Sequence, residues 1–273
     1  MRLRLPQLVR RAPLALPIPP PEMRALVGPT DPAAFDNPSR SLVFPDVEEA
    51  AYTSVFDFGC GCGRLARQLM QQDPRPARYV GVDLHRGMIE WCKTNLAPFA
   101  PGFEFHHHDV FNFHFNPGAE KPDVLALPAA DSSHMLVTAF SVFTHLTEVQ
   151  AGHYMREVAR ILSPSGVFHS TWFLFDKSDF PMLQPHTNAL YVSYVDPSSA
   201  VLFAREWLRA TAREVGLTIT GTVAPDIRGY QWVILMSPVS AGKPEVELPP
   251  DDGVSGFVDL PPMPENANRI GTE

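Results

Sequence analysis

The chain has 273 residues, 45% of them hydrophobic and 19% charged, with 29 prolines and a formal net charge of −8. That length and apolar content can build one full core and exclude a wholly disordered chain. The acidic balance argues against broad electrostatic capture of nucleic acid. No apolar run reaches the roughly 18 residues that a membrane span needs.

The first 40 residues read as a proline-rich arm or cap. Pro13, Pro17 and Pro19 interrupt the apolar stretch that a secretion signal requires. A core follows over residues 41–238, in which apolar runs and helical spacings alternate. Thr53–Phe58 predicts a strand that enters a glycine-rich turn, and Arg64–Gln72 predicts the helix that leaves it. Arg78–Asp83 is a second strand, Met88–Asn95 a helix and Gly102–His107 a third strand. Met135–Phe140 is a fourth strand. The amphipathic stretch Glu148–Leu162 stops before Pro164 and Gly166. Gly166–Trp172 is a fifth strand, Ala204–Val215 a helix closed by Gly216, and Leu217–Val223 and Tyr230–Met236 the last two strands. Such alternation implies an α/β fold: a Rossmann-like, doubly wound, mostly parallel seven-stranded sheet with helices on both faces. The tail over residues 239–273 is acidic and proline-rich and reads as disordered. Three cysteines, two of them only two residues apart, make a disulfide framework improbable and fit a reducing, cytoplasmic setting.

The informative segment is Val55–Arg64, V-F-D-F-G-C-G-C-G-R. Gly59, Gly61 and Gly63 allow a sharp turn and close approach of a ligand to the backbone, and the turn delivers free N–H groups at a helix start. Asp83, 24 residues after Gly59, ends the second strand where an acid can accept from a ribose diol. Asp109 ends the third strand within reach of an adenine amino group. A dinucleotide wants G-x-G-x-x-G; here Arg64 fills the third glycine position, and Asp57 would repel a pyrophosphate. The same carboxylate suits an ammonium or a sulfonium. The local charge thus favours S-adenosylmethionine over NAD.

With VFDFGCGCGR, YVGVD, HHDV, the NPG at Asn116–Gly118, LPAADSSHMLVTAFSVFTHL and REVARILSPSGVF in this order, the chain resembles the class I S-adenosylmethionine-dependent methyltransferases. The SVFTHL stretch is similar to that of methyltransferases acting on saccharides or other small metabolites. The resemblance implies cofactor contacts at Asp57, Gly59, Cys60, Gly61, Gly63, Asp83, Leu84, Asp109, Val110, Phe140 and Ser141, with Phe140 and Ser141 on the methyl side. It departs from the family at Ser163–Gly166, where P-G-G is commoner, and at His134–Met135, where an acid often precedes the strand.

The candidate general base is His145, just past the fourth strand, with a side chain suited to proton removal near neutrality. His106, His107, His108 and His114 surround Asp109. Adjacent strand residues face opposite ways, so no metal site is expected. Aromatic residues from Trp172 to Tyr194 are candidates for lining an acceptor pocket or for packing a hairpin, and Arg24 for reaching the cofactor carboxylate. The expected activity is methyl transfer to a small-molecule acceptor, foremost O-methylation of a sugar or secondary-metabolite hydroxyl. N-methylation, an NAD-dependent oxidoreductase or epimerase, and a non-catalytic cofactor-binding protein are the alternatives. Neither nucleic acid nor membrane is an expected partner, and the sequence is silent on oligomeric state.

Overall fold

The computed structural model describes residues 16–113, 115–119, 123–193, 195–225 and 230–248. The sheet has nine strands: β1 Ser54–Phe58, β2 Arg78–Asp83, β3 Phe103–His107, β4 His134–Ala139, β5 Leu162–Phe175, β6 Ala189–Tyr191, β7 Val201–Ala204, β8 Leu217–Val223 and β9 Gln231–Pro238. The helices are α1 Pro21–Leu26, α2 Arg64–Gln71, α3 Arg86–Asn95, α4 Glu148–Ile161 and α5 Arg205–Glu214. The first five strands run parallel in the order β3-β2-β1-β4-β5, and β9 closes antiparallel on β5, with β8 outside it. All seven strands expected from the pattern are present; β6 and β7 are additions.

Alternation along the strands explains the two layers. Val55, Tyr79, Phe103 and Leu136 pack with α2 and α3, whereas Phe56, Val80, Val137 and Phe168 pack with α4 and α5. A parallel sheet covered on both faces requires apolar residues at nearly every strand position. Helix α4 is fixed by a capping box: Thr147 accepts from the Gln150 N–H, and the Gln150 side chain accepts from the Thr147 N–H at 2.8 Å. The Ser163–Gly166 stretch is not a free turn. It lies inside the long β5, whose register against β4 shifts between His134 and Met135–Leu136.

Strand β5 outlasts β4, and this shapes the site. Phe173 pairs with Gln231 of β9 on one edge and with Leu202 of β7 on the other, the edge that β4 has vacated. The β6–β7 hairpin therefore sits just beyond the C-terminal end of β4, where open α/β sheets hold ligands. Of the aromatic residues of the 172–203 stretch, Trp172, Phe173 and Phe175 belong to β5, and Tyr191 and Phe203 to the hairpin. Trp172 and Phe203 are buried in the core, and the Tyr191 hydroxyl accepts from the Glu148 N–H at 3.2 Å. Tyr194 lies outside the described residues.

The described part of the arm is docked against the polar face of α2. Arg67 donates to the carbonyls of Leu16, Pro17 and Phe35 at 3.1, 3.1 and 2.8 Å and pairs with Asp36. Gln68 donates to the Ala34 carbonyl at 2.9 Å, and Gln72 accepts from the Val43 N–H at 2.8 Å. The described part of the tail also packs: the Val246 N–H donates to Ile219 at 2.8 Å, and Glu245 pairs with Arg213 at 2.9 Å. No described helix is long and apolar enough to cross a membrane.

Candidate active site

A cavity of about 650 Å³ opens at the C-terminal ends of β1, β2 and β4. That is within the range of small-molecule and cofactor sites. Its floor is the glycine turn. Gly59, at φ +83°, lies where a Cβ would meet Val142 Cγ2 at 2.3 Å; Gly61, at φ +53°, where one would meet Val27 Cγ1 at 2.6 Å. Both positions combine a left-handed backbone with no room for a side chain, which only glycine meets without strain. The contact at Gly61 also shows that α1 and the residues after it form one wall of the cavity.

Two acids frame the floor. Asp57 is buried, and its carboxylate accepts from the Tyr79 hydroxyl at 2.6 Å and the Thr138 hydroxyl at 2.9 Å. Gly81 permits the first bond: a Cβ there would stand 2.9 Å from the Tyr79 hydroxyl. Burial pushes the Asp57 carboxyl up to about 6, against the pull of its two hydroxyl donors, with nearby Asp83 adding to the rise and Arg64 opposing it. Asp83 accepts from the Gly61 N–H and the His85 N–H, both at 2.8 Å. Loss of hydration raises its pKa while those N–H groups restrain the rise. Two carboxylate oxygens offer about four acceptor directions, so Asp83 keeps capacity for hydroxyl donors.

Asp57, Gly59, Cys60, Gly61, Asp83, Leu84, Val110, Phe140, Ser141 and His145 all line this cavity. Gly63 and Asp109 do not. Gly63 caps α2 in the left-handed conformation and packs toward Leu96, where a Cβ would clash at 2.5 Å. Asp109 accepts from the Asn116 side chain at 3.0 Å and braces the loop that carries Val110. Arg24 is buried, but it is not part of the cavity wall.

His145 is oriented by the hairpin above it. Its Nδ1 lies 3.0 Å from the Ser198 carbonyl oxygen. A carbonyl only accepts, so Nδ1 carries the proton and Nε2 of the neutral ring is left as the acceptor. Ser141 holds φ +57°, uncommon for a residue with a side chain, while its N–H donates to the Thr171 hydroxyl at 2.7 Å and its own hydroxyl donates to Gln231 at 2.9 Å. The turn after β4 is thereby tied to β5 and β9.

Several wall residues carry no pattern in the sequence. His108 and Tyr154 face the cavity as a hydrogen-bonded pair at 2.9 Å, and burial pushes the His108 pKa down to about 4. Phe111 and Phe115 come from the loop after β3, and Arg64 lies over the Phe140 ring, 5.3 Å from its centroid. The Tyr79–Asp57 pairing has a findable signal: Asp57 pairs with Gly81, so Tyr79, two residues earlier, shares its face. The histidines near Asp109 each have separate partners: His106 meets Glu104 at 3.3 Å, and His107 donates to the Leu84 carbonyl at 3.0 Å. His114 lies outside the described residues.

Residues 55–166 match the family model described as a methyltransferase domain. That match covers less than half of the chain. The cavity is chemically compatible with S-adenosyl-L-methionine: it offers a buried acid beside the glycine turn that suits a cation, a second acid with acceptor capacity that suits hydroxyls, and apolar Leu84 and Val110 that suit a base. Among solved structures, the chain is similar to the (4+2)-cyclase SpnF, with 17% identity over 63% of this chain and 53% of that one and a TM-score of 0.43. A protein of Pyrococcus horikoshii is 19% identical over 68% and 81%, with a TM-score of 0.45. The mitomycin 7-O-methyltransferase MmcR is 12% identical over 70% and 50%, with a TM-score of 0.48. The chain spans about half the length of the cyclase and of MmcR.

Proposed function

We propose that this chain transfers a methyl group from S-adenosylmethionine to the hydroxyl of a small molecule, a sugar or secondary metabolite. The observation that carries this reading is the continuity of the cavity. One wall runs from Asp83 and the glycine turn past Asp57 to Phe140, Ser141 and the oriented ring of His145. When bound, the cofactor supplies a methyl carbon on a positively charged sulfur that leaves readily.

Asp57 would hold negative charge for the cationic part of the donor, and Asp83 would receive its ribose hydroxyls. Phe140 and Ser141 would line the methyl side. His145 Nε2 would take the acceptor's hydroxyl proton, so that the acceptor oxygen could receive the methyl group the bound cofactor would supply. The products are a methyl ether, S-adenosylhomocysteine and one proton, which leaves through His145. Alignment and base catalysis together supply the acceleration.

The test is radiolabelled methyl transfer from S-adenosylmethionine into a metabolite extract, with mass identification of the product. A methyl ether supports the reading; an N-methyl product moves the acceptor class, and no labelled product with any extract overturns it. His145→Ala should lower turnover by about 100-fold or more while S-adenosylhomocysteine affinity stays within about twofold. Loss of cofactor affinity without loss of turnover would remove His145 from the chemistry. Thermal stabilisation by NAD alone would instead favour the oxidoreductase reading.

A further inference from the structure

The cavity contains a cation that has no polar partner among the described residues. Arg64 begins α2, lines the cavity and lies over the Phe140 ring. Among the described residues no carboxylate or carbonyl pairs with its guanidinium. Asp57, the nearest acid on the floor, spends its carboxylate on Tyr79 and Thr138 instead. The next arginine along the same helix, Arg67, has its donors occupied by Leu16, Pro17, Phe35 and Asp36. The ring of Phe140 remains 43% exposed, so the pair offers a flat apolar face edged by a planar fork of N–H donors. A guanidinium fork matches a carboxylate in two-point geometry better than any other common anionic group of a metabolite of this size, phosphate aside.

Resting on the methyltransferase reading, we propose that Arg64 is the carboxylate receptor of this pocket. It stands on Phe140, which that reading places on the methyl side, so the carboxylate belongs foremost to the acceptor: an acid whose hydroxyl is methylated while a flat apolar part lies along Phe140. The donor's own amino-acid carboxylate is the second source of the same chemistry.

Binding measurements on the intact chain separate the sources. The probes are adenosine, S-adenosylhomocysteine, its decarboxylated counterpart, and benzoate titrated into protein saturated with S-adenosylhomocysteine. If the acceptor's acid is the partner, Arg64→Gln weakens benzoate about tenfold or more and leaves the ratio between S-adenosylhomocysteine and its decarboxylated form unchanged. If the donor's acid is the partner, Arg64→Gln collapses that ratio toward one and leaves benzoate unaffected. Unchanged values for both overturn the proposal. Adenosine affinity reports that the nucleoside end of the variant is intact. Should Arg64→Gln lose adenosine as well, Arg64→Lys, which keeps the charge and lacks the fork, is expected to weaken the carboxylate probe by at least about threefold; no change in that variant also overturns it. Failure of the wild type to bind either adenosine or S-adenosylhomocysteine counts against the cofactor reading rather than against Arg64.

Discussion

Helix α2 has two faces that treat polar groups in opposite ways. On the face that meets the arm, Arg67, Gln71 and, just past the helix end, Gln72 hydrogen-bond with the backbone of residues 16–43, and each of these bonds closes inside the protein. On the cavity side, Arg64 has no polar partner among the described residues, and Asp83 and His145 keep acceptor capacity. Buried polar groups are normally satisfied, because an orphan loses its hydration for nothing. The satisfied face is therefore scaffold and the unsatisfied face is addressed to a ligand. The same helix does both along two adjoining stripes: Arg64 and Gln68, four residues apart, line the cavity, while Arg67 and Gln71, four apart on the neighbouring stripe, meet the arm, and Gln68 at the border also donates to the Ala34 carbonyl.

Three changes test this division, in falling order of effect. Arg67→Ala strands three carbonyls and Asp36. It should destabilise the protein by about 3 kcal/mol, the ordinary consequence of breaking one partner out of a buried charged network. Chemical denaturation reads the loss, and hydrogen exchange should show residues 16–43 opening first. A loss under about 1 kcal/mol would mean that apolar packing, not the arginine, holds the arm. Gly59→Ala belongs to the other face. The added methyl meets Val142 at φ +83°, so S-adenosylhomocysteine affinity should fall about 100-fold. The melting temperature should move much less than in Arg67→Ala. The reverse ranking would erase the distinction between scaffold and site.

Asp57 gives a smaller, pH-dependent effect. Its carboxyl titrates at about 6 in the free protein, and a cationic ligand prefers the ionised form. Affinity for S-adenosylmethionine should therefore weaken as pH falls through 6 and be about tenfold lower at pH 5 than at pH 7. Asp57→Asn should bind more weakly at pH 7 and show a flat profile; a profile that keeps its slope in the variant would assign the titration elsewhere.

The legibility of the chain follows the same line. Strands β1 to β5, β8 and β9 were readable because a sheet covered on both faces writes apolar runs into the sequence. The cavity floor was readable because a left-handed turn demands glycine and because Asp83 ends the next strand beside it. The hairpin was not. Ala189–Tyr191 and Val201–Ala204 are three and four residues long, too short to show a period, and they exist because β5 outruns β4. Ser198 had no signal at all, since it acts through its backbone carbonyl. Arg64 stood within the recognised motif, but its lack of a partner is a property of the folded neighbourhood.

Acid stability gives the smallest effect and the finest test of the buried polar groups. Burial pushes both His108 and His134 down to about 4, from an ordinary value of 6.5. Between those values the unfolded chain binds protons that the folded chain refuses, so stability is intact above 6.5 and falls as pH drops toward 4. Asp57 acts in the opposite sense. Its folded pKa is raised, so the folded state binds the extra proton between 3.8 and about 6 and gains stability as pH falls. From pH 7 toward pH 5, His108 and His134 should lose stability faster than Asp57 regains it, with buried His169, also pushed down, adding to the loss and Asp83 opposing it. Replacing Asp57 with Asn removes its opposing contribution, so the variant should lose more stability over the same interval than the wild type. Melting curves at pH 7, 6 and 5 read both slopes. A wild-type stability that stays level or rises toward pH 5 would mean that His108 and His134 accept protons inside the folded protein, and their burial would then not govern their charge.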